Sequence, residues 1–298
     1  MAESNESVPI GTCFAHLYYG SGRGSARWGK MPTIETGSGE RIFYESPHEL
    51  GGQTPGARIL FVHGTGVDHR LFADQLRFFS GAQTPISIDL PGHGQSPGDA
   101  LEDVVEYRMA LEGFIEGAKL GSVILCGHAM GAAIVLDYAV NDPRKVEGLV
   151  LMDFGGTFPG AADSAADLLA DTDGYRAQNG RRGLSENASA SAVEQVMAAR
   201  SATSPHAAIR DLVACAKWEA SGRFPRLQTP TLLLYGEHDP LRQQMPELLE
   251  AMPNVSSDVI PLARHFPQVE APDILNDSLN QFVTALADLT QVTGDETT

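Results

Sequence analysis

The sequence predicts an α/β fold: a mostly parallel central sheet flanked by helices, interrupted late by a helical segment. Three observations carry this. Short apolar runs recur, each bounded by turn residues. Helical periodicities separate those runs. Between Gly155 and about Arg223 the strand pattern disappears.

The runs are Arg58 to Val62, Ile86 to Leu90, Ser122 to Cys126, Gly148 to Phe154 and Thr231 to Tyr235. Ile59-Leu60-Phe61-Val62 is apolar without alternation, which suits a strand covered on both faces. Val104, Tyr107, Leu111 and Phe114 recur at steps of three and four, as do Leu275, Leu279, Phe282 and Leu286, the spacing of one helix face. Another helix starts near Met130 and should stop at Pro143, which cannot continue it. Residues 155–223, rich in Ala, Asp and Ser, read as several short helices capping the C-terminal edge of the sheet, with a long irregular loop as the alternative. The expected organisation is a core of residues 31–154 and 224–290, a cap at 155–223, and loose ends at 1–30 and 291–298.

The 298 residues carry a formal charge of -17. So acidic a surface repels phosphate backbones, and no nucleic-acid partner is expected. No apolar stretch reaches the roughly 18 to 20 residues of a membrane span, and the polar opening Met1 to Pro9 lacks the basic region of a signal peptide. Cys13, Cys126 and Cys215 are odd in number and have no metal-type spacing, as expected for isolated thiols in a cytoplasmic protein.

Five motifs follow strands. His63-Gly64-Thr65-Gly66 is a glycine turn able to present N–H groups to an oxyanion. Asp89-Leu90-Pro91-Gly92-His93-Gly94-Gln95-Ser96 reads as a structural loop. Gly127-His128-Ala129-Met130-Gly131 lies between a strand and a helix, with glycines two before and two after its centre. This is the context of a nucleophile elbow, whose central residue takes strained backbone angles. That residue should be Ser, Cys or Asp; here it is Ala129, whose methyl group cannot attack a carbonyl. Tyr235-Gly236-Glu237-His238-Asp239-Pro240 closes a late strand, and Arg264-His265-Phe266-Pro267 precedes the last helix. Asp239 and His265 thus complete the order elbow, acid, base.

With these motifs in this order, the chain resembles the α/β-hydrolase superfamily from about Thr33 to Leu289, especially its capped esterase-like and C–C-hydrolase-like members. The resemblance implies an α/β-hydrolase fold and an oxyanion hole from the backbone N–H groups of Thr65 and Met130. It also implies Asp239 as acid and His265 as base. Asp153, after the preceding strand, stands where some members carry the acid instead. Two positions depart from the pattern: Ala129, and Arg264, where the family usually has Gly, so that a charge is expected at the site mouth.

Three readings of Ala129 stay open. It replaces a serine in an inactivated serine esterase. Or it is native, and the His265–Asp239 pair works as a general base on a reactive ester, thioester, amide or related carbonyl compound; the aminoacrylate-processing branch of the family is similar in carrying Ala at the elbow. Or the chain keeps a pocket without chemistry and binds a ligand. Cys126, inside the strand, and His128, packed on the sheet, are poor substitutes for a nucleophile. The His residues show no metal-ligand spacing, and there is neither a dinucleotide fingerprint nor a P-loop, so no metal and no cofactor are expected. The expected partner is a small-molecule substrate, with oligomeric state open.

Overall fold

A computed structural model describes residues 32–295 of the chain. The expected loose N-terminal stretch, Cys13 and residues 296–298 lie outside the described residues. Eight strands form one sheet: β1 (Thr33–Glu35), β2 (Arg41–Glu45), β3 (Arg58–Val62), β4 (Thr84–Ile88), β5 (Val123–His128), β6 (Val146–Met152), β7 (Thr231–Gly236) and β8 (Val255–Ile260). Their spatial order is β1-β2-β4-β3-β5-β6-β7-β8. Strands β4 through β8 pair in parallel, while β1 and β2 pair antiparallel at one edge. From β3 the chain winds first to one side, through β4, and then to the other, through β5. The crevice beyond the C-terminal ends of β3 and β5 is where such a sheet places its ligand.

Each predicted run lies on a parallel strand buried from both sides. Along β3, Leu60 and Val62 enter one hydrophobic layer and Ile59 and Phe61 the other, as side-chain alternation requires. The first layer packs α2 (Val104–Gly117) and α3 (Met130–Asn141) against the sheet; the second packs α1 (Ala73–Phe79). Eleven of the twelve α3 residues are buried, from Met130 to Val140, and Pro143 follows directly.

Between β6 and β7 lie α4 (Ala161–Ala170), α5 (Thr172–Asn179), α6 (Ala190–Ala202) and α7 (Pro205–Lys217). The side chains of Asp171, Ser189 and Ser204 cap α5, α6 and α7 by accepting N–H groups of their first turns, which stabilises short helices. After β7 come α8 (Met245–Ala251), α9 (Pro267–Glu270) and α10 (Pro272–Asp295). The stretch from 291, expected to be loose, is therefore helical as far as Asp295. Leu275, Leu279, Val283 and Leu286 dock α10 on the sheet, and a docked helix propagates past its last packed turn at little cost. No described helix is long and apolar enough to cross a membrane.

Candidate active site

The elbow at the end of β5 is built by close packing. A Cβ on Gly127 would lie 2.3 Å from the Gly131 carbonyl oxygen, and one on Gly131 would lie 2.2 Å from that of Val62. The first turn of α3 therefore crosses the end of β3 backbone to backbone. Between these glycines Ala129 has φ 51° and ψ -112°, a left-handed conformation that costs a residue with a Cβ about 1 to 3 kcal/mol. Its N–H donates to the Met152 carbonyl at 3.0 Å. A Cβ on Gly64 would lie 3.1 Å from the Ala129 methyl, so the turn holding Thr65 sits against the elbow, with Met130 beside it as the first residue of α3.

Asp239 follows β7, and His265 lies between β8 and α9. The structure brings the two together: His265 Nδ1 lies 2.7 Å from Asp239 Oδ2. Asp239 is buried, and its other oxygen accepts the Leu241 N–H at 2.9 Å. Burial alone would raise its pKa, but the imidazole of His265, a hydrogen bond from Asp153 and the Leu241 amide hold it down at about 2. An ionised acceptor at Nδ1 fixes the tautomer: the proton sits on Nδ1, and Nε2 keeps its lone pair. Nε2 has no hydrogen-bond partner among the described residues, and the His265 side chain is 27% exposed.

Asp153 is fully buried behind this pair with φ 48°. Its Oδ1 accepts the Gly236 N–H at 2.9 Å. Burial and the adjacent Asp239 carboxylate push its pKa well above the usual carboxylate range, so its neutral form is favoured, and the partner of His265 Nδ1 is Asp239.

The contacts of two neighbours escaped sequence reasoning, which placed His128 only as packed on the sheet and did not single out Glu270. His128 Nε2 donates to the His265 carbonyl at 2.6 Å, with the rings 4.9 Å apart. Burial and the nearby His265 lower its pKa to about 3, so this imidazole is neutral. Glu270 accepts the N–H groups of Arg264 and Phe266, both at 3.1 Å, on one oxygen and that of Ser185 at 2.7 Å on the other. The His265 N–H itself donates to the Gly183 carbonyl at 2.8 Å. The histidine turn is thereby fixed to the inserted helical segment. Arg264 is exposed and lines an outer cavity of about 560 Å³ with Glu237, His238 and Arg242.

Two groups of side chains bring donor atoms within metal-ligating range: His128, Asp153 and His265, and Asp68, His69 and Asp89. In the first, His265 Nδ1 and His128 Nε2 are committed to hydrogen bonds, and burial disfavours the charged form of Asp153. In the second, Asp89 accepts the N–H and Nδ1 of His69 and the N–H of Gln95 at 2.7 to 2.8 Å, while Asp68 pairs with Arg70. Asp89 also closes the glycine loop after β4, since a Cβ on Gly94 would lie 2.3 Å from its carboxylate.

Residues 59–278 match the sequence model of the alpha/beta hydrolase family. The chain belongs to that family. Among curated relatives it is 32% identical over 105 residues to (E)-2-((N-methylformamido)methylene)succinate hydrolase of Acinetobacter baylyi, covering 34% of this chain. It is 31% identical over 103 residues to lipase LipV of Mycobacterium tuberculosis, again covering 34% of this chain. Both alignments span 39% of the relative's length. Among solved structures, a thermophilic esterase from Thermogutta terrifontis superposes with a TM-score of 0.77 at 21% identity, over 87% of this chain and 99% of that one. The enol-lactonase from Burkholderia xenovorans LB400 does so with 0.70 at 18%, over 85% and 100%. These likenesses show that the α/β-hydrolase fold is present along nearly the full length of the described residues. The site order of elbow, acid and histidine stands within the matched segment.

Proposed function

We propose that this α/β-hydrolase hydrolyses a small, activated carbonyl compound by direct attack of water, without a covalent intermediate. The observation that carries this reading is the Asp239 carboxylate, held ionised against His265 Nδ1 while Nε2 has no partner among the described residues, behind an elbow residue that bears only a methyl group. His265 Nε2 takes a proton from water as the oxygen attacks the carbonyl carbon. The N–H groups of Thr65 and Met130 hold the oxyanion that forms. The tetrahedral species then collapses, expelling the leaving group, which receives the proton from Nε2. Water is consumed, and an acid and the protonated leaving group are released.

Magnitudes narrow the substrate class. A positioned general base supplies about 10² to 10⁴-fold and an oxyanion donor about 10² to 10³-fold, less than many hydrolases achieve. The leaving group must therefore depart readily, as an enol, enamine or thiolate does. The name of the Acinetobacter baylyi relative describes an acylated enamine, which supports this class.

The test is hydrolysis of an enol ester, an N-acyl enamine and a nitrophenyl ester by this chain, His265→Ala and Ala129→Ser. The expected result is turnover of an activated substrate without a burst, lost about 10² to 10⁴-fold in His265→Ala. An inert parent beside an Ala129→Ser variant active by several orders of magnitude would replace this reading with that of an inactivated serine esterase. Inertness of both would leave ligand binding.

A further inference from the structure

Helix α7 presents three residues of one face, Ala208, Asp211 and Cys215, at the helical spacing of three and four. All three meet the turn after β3. Asp211 Oδ2 accepts the Gly66 N–H at 2.9 Å. Cys215 Sγ lies 3.7 Å from the Thr65 hydroxyl. A Cβ on Gly66 would lie 3.3 Å from the Ala208 methyl.

Asp211 is fully buried on an otherwise apolar face, with Ala207, Ala214 and Cys215 as its buried neighbours on α7. A carboxylate there is strongly disfavoured unless fully partnered. It has three donors: the Gly66 amide, His93 Nε2 at 2.8 Å and the Tyr107 hydroxyl at 2.6 Å. His93 Nδ1 faces the Pro91 carbonyl at 3.0 Å. Both imidazole nitrogens of His93 thus meet acceptors, which only an imidazolium satisfies. Burial opposes that charge, but Asp211 and the Pro91 carbonyl outweigh it and raise the His93 pKa.

We infer that Asp211 is a positioning residue for the oxyanion turn. By holding the Gly66 N–H, the carboxylate pins the peptide between Thr65 and Gly66 and leaves the Thr65 N–H as the amide of this turn that is offered to substrate. Seating of α7 and the shape of the oxyanion hole are then one equilibrium. The inference rests on the proposed role of the Thr65 amide, and the experiment separates the two.

An Ala129→Ser background is treated with an alkyl fluorophosphonate, whose capture by a serine requires the oxyanion hole. In parallel, amide exchange is followed over residues 62–68. Asp211→Ala should slow the maximal labelling rate about 10- to 100-fold, part of the full effect of an oxyanion donor, with little change in reagent affinity, and should speed exchange at 62–68. Asp211→Asn, which keeps the shape if Ala misfolds, should move both in the same direction by less. Tyr107→Phe removes another partner of the same carboxylate without touching Gly66 and should label within about 2-fold of the background. Equal slowing by Tyr107→Phe and Asp211→Asn would assign the effect to general stability and overturn the inference. So would unchanged exchange at 62–68 in Asp211→Asn. A background that does not label would sink the oxyanion reading itself, and the Asp211 contact would then stand or fall on the exchange alone.

Discussion

Asp153 and Asp239 carry the same side chain, and their surroundings push their pKa values in opposite directions. Asp239 has an imidazole and an amide to stabilise its charge; at Asp153 the single Gly236 amide is outweighed by burial and a negative neighbour. A native carboxyl that keeps its proton when the unfolded chain would release it lowers stability as pH rises from about 4 toward its raised pKa. Asp153→Asn imitates the neutral acid but cannot ionise in the unfolded state. It is therefore expected to unfold at higher denaturant than the parent at pH 7, with the difference vanishing near pH 3.5, and to keep most of any activity that His265→Ala loses. An Asn variant less stable than the parent at pH 7 would show that Asp153 is ionised. Both acids follow strands, so the sequence presented two candidates with Asp239 ahead of Asp153, and the direction of the side chains puts Asp239 against His265. His128 and Glu270 were illegible for a different reason. Their partners are main-chain groups of the histidine turn, and no residue spacing encodes those.

Single elements were legible in proportion to their burial. The buried parallel strands announced themselves as unbroken apolar runs. Strand β8, Val-Ser-Ser-Asp-Val-Ile, is an edge strand with an exposed polar centre, β1 has three residues, and the apolar run of β2 is only Ile42-Phe43-Tyr44 between charged ends. The elbow was legible because its glycines are demanded by backbone contact rather than by flexibility. Gly131→Ala would force a methyl onto the Val62 carbonyl in the centre of the molecule. Overpacking of this kind costs about 3 kcal/mol or more where backbone cannot yield. The expected result is a lower urea midpoint at unchanged slope, measured beside Ala133→Gly as a control for helix propensity.

Over the whole molecule, order should follow burial and the ties between segments. The inserted segment is joined to the core by Asp211 to Gly66, Thr203 to Val67, Gln195 to Arg70 and Gly183 to His265. These fix α6, α7 and the loop before α6. Helix α5 has no buried residue, whereas α3 is buried almost throughout. Native-state amide exchange is expected to be fastest over 172–179 and slowest over 130–140, because local opening exposes little at the first and the global core at the second. Similar protection in both helices would mean that α5 is held by something the chain itself does not supply.

The left-handed backbone at Ala129 has a genetic consequence. Alanine and serine codons differ by one base, and the conformation that a serine nucleophile would require is already in place, with its glycines, its paired helix and a histidine beyond. On the proposed reading of the site, one base change at codon 129 would therefore set a serine in the elbow without any further rearrangement of its backbone.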